Sequence, residues 1–135
     1  MSAPQGLASF GMSSALDVTK QIDRAVARAL VEVPQLAPLN IVVGLDLRGR
    51  GDVQQFRVAL PGPEVKRGVA ADAKISLEMP RKLFNEMSQD ASISEWREAF
   101  ARGHIKATGI AQYLKLIERV VALAEERAHT RKVRH

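Results

Sequence analysis

The sequence offers few sets of polar side chains that could converge into a site for covalent or acid–base chemistry. Its three histidines are His104, in a short alternating segment, and His129 and His135, in a basic C-terminal segment. Cysteine is absent, which excludes thiolate nucleophiles, disulfides and cysteine-ligated metal sites. The sequence also has no H-E-x-x-H, G-x-S-x-G or Walker-type motif. We therefore expect no catalytic residues, no metal ligands and no cofactor, and the sequence does not predict an enzyme.

The segment from Arg48 to Asp52 has the residue types of a phosphate-binding loop and contains an Arg-Gly-Asp tripeptide, as in adhesion sites. A phosphate-binding loop opens a helix whose N-terminal amides face the anion, whereas an alternating strand pattern follows this segment. Glycines are common in the tight turn between two strands because they tolerate positive φ. The pattern thus favours a hairpin turn over either kind of binding site.

A formal net charge of +5 is typical of proteins that bind nucleic acid or an anionic membrane, but its meaning depends on where in the chain the charge lies. Four basic residues follow the last acidic residue, Glu126, and they are Arg127, Arg131, Lys132 and Arg134. The rest of the chain is nearly neutral and the tail has no aromatic residue to stack on bases, so we expect no nucleic-acid partner. Two interpretations of the tail stay open. One is a solvated helix end, and the other is transient contact with an anionic membrane, to which each basic residue adds about 1 kcal/mol.

Length and composition predict one globular domain. The chain has 135 residues, of which 46% are hydrophobic and 26% charged. No apolar run reaches the length of about 18 residues that spans a bilayer, and the first residues lack the charged region of a secretory signal. We expect a cytoplasmic protein with a flexible leader over residues 1–14, a domain over 15–127 and a basic tail over 128–135.

Hydrophobic periodicity predicts an alternation of helices and strands within this domain. A spacing of 3.6 residues runs from Leu16 to Val33, with Ser14 before its start, and Pro34 ends it. Period-two alternation then predicts five strands, over residues 41–48, 55–60, 65–70, 74–79 and 104–109. The domain is therefore expected to combine a sheet with several helices.

Three further helices are predicted from their first residues and apolar sides. Pro80 suits the first position of a short helix, and Ser92 with Glu95 has the capping-box pattern at the start of another. The last helix is predicted from Ile110 to about Arg127 and has two adjacent apolar stripes. So wide an apolar side is typical of a helix that packs between two neighbouring elements, or of one that faces an apolar surface other than protein.

Three consecutive segments resemble a known family. They are an alternating strand, a short helix with an apolar side, and a run of small and apolar residues, at Ala73 to Glu78, Leu83 to Met87 and Ala99 to Gly109. The last run begins with Ala-Phe and continues with a glycine, a basic residue and an alternating strand that ends at a second glycine. This pattern looks like the signature of the sterol carrier protein 2 family of lipid-binding domains. With the preceding helix and strands, the likeness spans about Leu16 to Arg127.

This resemblance implies an α+β fold with a five-stranded, mainly antiparallel sheet, helices on one face and an enclosed apolar cavity between them. The alternating strands and amphipathic helices supply the same parts independently. It also implies non-enzymatic binding or transfer of an apolar lipid of the fatty acyl, sterol or isoprenoid type. A second function stays open, an interaction or scaffold module whose last helix packs on a client enzyme or on a second copy of the chain.

The predicted ligand-binding residues are the inward apolar side chains of the sheet and helices. Each could equally serve core packing, because an inward apolar side chain suits both roles. They are Phe56, Val58, Ile75 and Leu77 from the sheet, Leu83, Phe84, Met87, Trp96 and Phe100 from the short helices, and Leu114, Ile117 and Val121 from the last helix.

Overall fold

The computed structural model describes residues 18–134, with side chains as far as residue 129. The predicted leader and the predicted helix start at Ser14 lie outside the described residues. Helix α1 (18–32) leads into a 3-10 helix and then into five strands and three further helices. In chain order these are the 3-10 helix Pro34–Leu39, β1 Val42–Arg48, β2 Val53–Ala59, β3 Glu64–Arg67, β4 Ile75–Pro80, α2 Arg81–Asp90, α3 Ile93–Ala101, β5 Lys106–Gly109 and α4 Ala111–Arg134.

The five strands form one sheet in the order β3-β2-β1-β4-β5. The pairs β1–β2, β2–β3 and β4–β5 are antiparallel, and the central pair β1–β4 is parallel. The prediction of an α+β fold with a five-stranded, mainly antiparallel sheet is confirmed. None of the helices in the described part of the chain is long and apolar enough to cross a bilayer.

The turn between β1 and β2 confirms the hairpin interpretation, and within it Gly51 has the positive φ, +74°, that glycine tolerates. The Arg81 guanidinium approaches the turn and donates a hydrogen bond to Asp52 at 2.9 Å. A Cβ atom on Gly49 would lie 2.6 Å from Asp52 Oδ1 and 2.7 Å from Arg81 Nη2. The carboxylate of the Arg-Gly-Asp tripeptide is thus already used in an internal ion pair.

Two strands are shorter than their patterns predict. β3 ends at Arg67 because Gly68 follows with a φ of +130°, which leaves the strand region. β5 begins at Lys106 rather than at His104, since the His104 and Ile105 amides bond back to the carbonyl of Ala99 at the end of α3.

The helix ends match the sequence pattern in part. The capping box is confirmed, with the Glu95 amide donating to Ser92 Oγ at 3.3 Å and the Ser92 amide donating to Glu95 Oε1 at 2.9 Å. Pro80, however, is the extended residue before α2 and still belongs to β4, so it is not the first helical residue.

The last helix is longer than predicted, since α4 continues to Arg134 instead of ending near Arg127. No glycine or proline follows Arg127 to stop it. Part of the predicted basic tail is therefore helical.

The apolar interior is divided into two clusters. The first, which we call the sheet cluster, lies between the inward face of the sheet and the covering helices. It consists of Val18, Ile22, Leu45, Leu47, Phe56, Val58, Met79, Phe84, Ala99 and Ile105. The second, the helix cluster, joins the region after α1 to the middle of α4 and consists of Val33, Leu36, Val121 and Ala124.

The opposite face of the sheet carries charged side chains. Arg48 forms an ion pair with Glu78 at 2.9 Å, and Arg57 pairs with Asp72 through two hydrogen bonds of 3.0 and 2.7 Å. The hydrogen bond from Arg57 lowers the pKa of Asp72. Surface pairs of this kind add little stability, so apolar burial on the inward face is the larger contribution.

Candidate functional site

A cleft of about 500 Å³ lies between α3, α4 and the β4–β5 edge of the sheet. This volume falls in the range of about 300 to 1,000 Å³ that is typical of small-molecule sites. Ten of its lining residues are apolar and two are charged. They are Ile75, Leu77, Ile93, Trp96, Arg97, Phe100, Ala101, Ala107, Leu114, Ile117, Glu118 and Val121. The lining suits an apolar molecule with a small polar part.

Seven of the twelve predicted ligand-binding residues line this cleft. The sheet contributes two of them, α3 two and α4 three. They are Ile75, Leu77, Trp96, Phe100, Leu114, Ile117 and Val121. The structure thus brings together residues that are more than forty positions apart in the chain.

The other five predicted residues do not line the cleft. Phe56, Val58 and Phe84 are at most 3% exposed within the sheet cluster, and Leu83 and Met87 pack against that cluster. The reason is strand order, because β2 is separated from β5 by β1 and β4. Helix α2 packs on β1 and β4, so its apolar side also faces the sheet cluster.

Five lining residues were not predicted from the sequence, namely Ile93, Arg97, Ala101, Ala107 and Glu118. Helical spacing contains a signal for most of them. On α3 the lining positions 93, 96, 97, 100 and 101 form a stripe at i, i+3, i+4, i+7 and i+8. On α4 the lining positions 114, 117, 118 and 121 follow i, i+3, i+4 and i+7. A selection by hydrophobicity omits Arg97 and Glu118, because they are the charged members of otherwise apolar stripes.

The cleft separates the two apolar clusters. Leu77 and Trp96 pack against the sheet cluster, whereas Ile93 and Ile117 pack against the helix cluster. Phe100, which lines the cleft, remains 37% exposed. An apolar molecule in the cleft would remove this surface from water, which is favourable by about 25 cal/mol per Å².

Polar contacts hold α3 in place as one wall of the cleft. Its first amide, that of Ile93, donates to the Glu32 carboxylate of α1 at 3.4 Å. Farther along α3, Arg97 forms an ion pair with Glu125 of α4. A hydrogen bond from Ser94 and the ion pair with Arg97 both lower the pKa of Glu125, so this contact stays ionised at neutral pH.

Trp96 is well placed to report on the cleft. It is the only tryptophan in the chain, lines the cleft, and lies with its ring centroid 6.4 Å from that of Phe84. Within the described residues, His, Asp and Glu side chains form no group of three that could hold a metal ion. The chemistry available at the cleft is therefore apolar contact together with the two charged side chains.

Comparison with known proteins identifies the fold. No protein-family model and no curated protein matches the sequence. Two solved structures of Sterol Carrier Protein 2 Like 2 from Aedes aegypti do match. The solution structure of the palmitated protein is 21% identical with a TM-score of 0.54 and covers 77% of this chain and 93% of that chain. The crystal structure is 23% identical with a TM-score of 0.53 and covers 77% and 96%. The chain therefore has the fold of a sterol carrier protein 2 domain, as its sequence predicts.

Proposed function

We propose that this protein binds an apolar lipid, of the fatty acyl, sterol or isoprenoid type, in the cleft between α3, α4 and the β4–β5 edge, and performs no reaction on it. The observation that carries the proposal is the position of the cleft between two apolar clusters that do not meet. A lipid chain would join them into one core, and the cleft would become an enclosed cavity around it. The palmitated Aedes aegypti protein of the same fold supports this proposal.

The energetics suit reversible binding. Burying twelve methylenes contributes about 10 kcal/mol at about 0.8 kcal/mol each. Association and ordering costs of at least about 4 kcal/mol leave at most about 6 kcal/mol, which corresponds to a Kd of tens of micromolar or weaker. No specific polar contact is needed to reach this affinity. A longer chain would bind more tightly if the cleft accommodates it.

Titration with dodecanol, followed by the fluorescence of Trp96, is expected to give a saturable change. Because the alcohol binds the folded state, a concentration of about ten times Kd should stabilise the protein by about 1.4 kcal/mol and raise its melting temperature by about 3 to 5 °C. Native mass spectrometry of the purified protein should also show the mass of a carried-over lipid. An empty, stable dimer that dodecanol does not stabilise would contradict lipid binding and support the scaffold function.

Transfer of the lipid between membranes is the second part of the proposal, and it concerns the basic segment that ends the chain. Deleting residues 128–135, which contain Arg131, Lys132 and Arg134, should leave dodecanol binding unchanged. It should slow lipid exchange with vesicles containing phosphatidylglycerol several-fold at low salt, because each basic residue contributes about 1 kcal/mol of attraction to an anionic surface.

Two controls for this truncation vary the ionic strength and the charge of the vesicles. The difference between the two proteins should disappear at about 1 M salt, where the screening length falls to about 3 Å, and on vesicles of neutral phosphatidylcholine. If the truncated protein exchanges lipid as fast as the full chain with anionic vesicles at low salt, the segment does not steer the protein to membranes.

A further inference from the structure

One charged side chain at the cleft has no partner. The carboxylate of Glu118 makes no hydrogen bond or ion pair with any of the described residues. It lies on α4 between Leu114 and Val121 in the stripe that lines the cleft, and it is exposed to solvent. The Glu118 carboxylate is therefore available to a ligand, and it can offer that ligand a negatively charged hydrogen-bond acceptor.

The other charged lining residue, Arg97, is differently placed. Its guanidinium already pairs with Glu125, which links α3 to α4. Drawing Arg97 to an anionic ligand would weaken that link and leave the half-buried Glu125 carboxylate with fewer partners. Arg97 is thus less available to a ligand than Glu118 is.

We propose that Glu118 selects lipids by their headgroup, an inference that rests on the proposed lipid-binding function. It favours an apolar chain that ends in a hydrogen-bond donor, a hydroxyl or an ammonium group, and it disfavours a chain that ends in a free carboxylate. The apolar chain occupies the cleft while its polar end stays at the exposed rim beside Glu118, as amphiphilic molecules arrange themselves at an apolar site.

The physical basis is charge complementarity at the rim. A hydrogen bond to a charged acceptor is stronger than one between neutral groups, and at an exposed rim, where solvent screens the charge, it changes affinity by a few-fold. A ligand carboxylate placed there would face a like charge, which weakens binding at low ionic strength. The carboxylate strengthens binding of a cationic headgroup and weakens binding of an anionic one. The ratio of the two affinities is therefore a sensitive measure of the effect of Glu118.

Three probes of equal chain length test this inference, namely dodecylamine, dodecanol and laurate, each titrated against Trp96 fluorescence at low salt. The wild-type protein should bind dodecylamine about tenfold more tightly than laurate. In the Glu118→Gln variant the amide oxygen still accepts a hydrogen bond but the charge is gone. The variant should therefore bind laurate more tightly and dodecylamine more weakly. Dodecanol should lose less affinity than dodecylamine, because the amide oxygen still accepts its hydrogen bond but no longer attracts a charge.

Glu126→Gln is the matched control, because it removes the same charge from an exposed position of the same helix that does not line the cleft. It should keep the wild-type order of the three probes. The inference is overturned if the wild-type protein binds laurate as tightly as dodecylamine, or if Glu118→Gln leaves their ratio unchanged. If none of the three probes binds to the folded protein, the proposed function itself fails.

Discussion

Replacing Ala107 by tryptophan is expected to weaken dodecanol binding by at least about tenfold without lowering the melting temperature. Ala107 lies on β5 opposite Leu77 of β4 and forms part of the sheet that lines the cleft. Its side chain is exposed, so an indole at this position enters open space and displaces no packed neighbour. Large aromatic side chains bury about 150 to 250 Å² each, and an indole here would take up the apolar surface that a lipid would otherwise cover.

The neighbouring substitution Thr108→Trp provides the control. Thr108 is the next residue of β5, is also exposed, and lies on the opposite face because side chains alternate along a strand. This variant should bind dodecanol like the wild-type protein. Isothermal titration and thermal unfolding of both variants measure the two effects separately. Unchanged binding by Ala107→Trp, or an equal loss in both variants, would show that the lipid does not occupy this cleft.

Phe84 shows how far the sequence alone could locate the site. Its apolar character and its place on a short helix predict a cavity residue, yet it is 3% exposed in the sheet cluster. Period-two and helical patterns identify which side of an element is buried. They do not determine which other element covers that side, since this depends on strand order. Enlarging Phe84 to tryptophan would therefore overpack the core by about 1 to 3 kcal/mol rather than block the cleft.

The local features of the chain were more predictable than the long-range ones. The strand alternation, the capping box at Ser92 and the turn at Gly49 all depend on neighbouring residues, and the structure contains each of them. The parallel pairing of β1 with β4 joins segments about thirty residues apart, and no local pattern encodes it. The cleft is a consequence of that pairing, because it places β4 and β5 beside α3 and α4.

Charged members of an apolar stripe were the other source of error. Glu118 continues the helical spacing of Leu114 and Val121, but a choice of site residues by hydrophobicity leaves it out. Glu118 can nevertheless line the cleft, because it lies at the exposed rim, where its carboxylate reaches water while its apolar neighbours face the interior. Helical phase is therefore the better guide to which residues share a site, and hydrophobicity then indicates what the site accepts.

The second large effect is expected at Gly109, where alanine should lower the free energy of unfolding by about 3 kcal/mol or more. Gly109 has a φ of +135° and pairs with Ile75 at the edge where β5 meets β4. A Cβ atom there would lie 2.5 Å from the Lys74 carbonyl oxygen and 2.7 Å from Ile75 Cα. Both atoms belong to the backbone, so no side-chain rotation can relieve the contact.

Gly68→Ala separates this backbone contact from the cost of the conformation itself. Gly68 has a similar φ of +130°, but a Cβ atom there would meet nothing within 4 Å. It should lose only the conformational part, about 1 to 3 kcal/mol, and therefore less than Gly109→Ala, which adds the backbone contact. Urea unfolding of both variants measures the difference, and equal losses would contradict the expected role of close packing at Gly109.

The Gly109 substitution should also affect the cleft, because the next amide, that of Ile110, donates to the Lys74 carbonyl at 3.0 Å and fixes the start of α4 against β4. If alanine forces β5 away from β4, this hydrogen bond weakens and the α4 wall loses its position. Hydrogen exchange of the Ile110 amide should then accelerate, and dodecanol binding should fall even at temperatures where the variant is still folded. Gly68→Ala, at the opposite edge of the sheet, should bind dodecanol normally. Retention of normal exchange at Ile110 in folded Gly109→Ala would mean that the glycine does not set the position of α4.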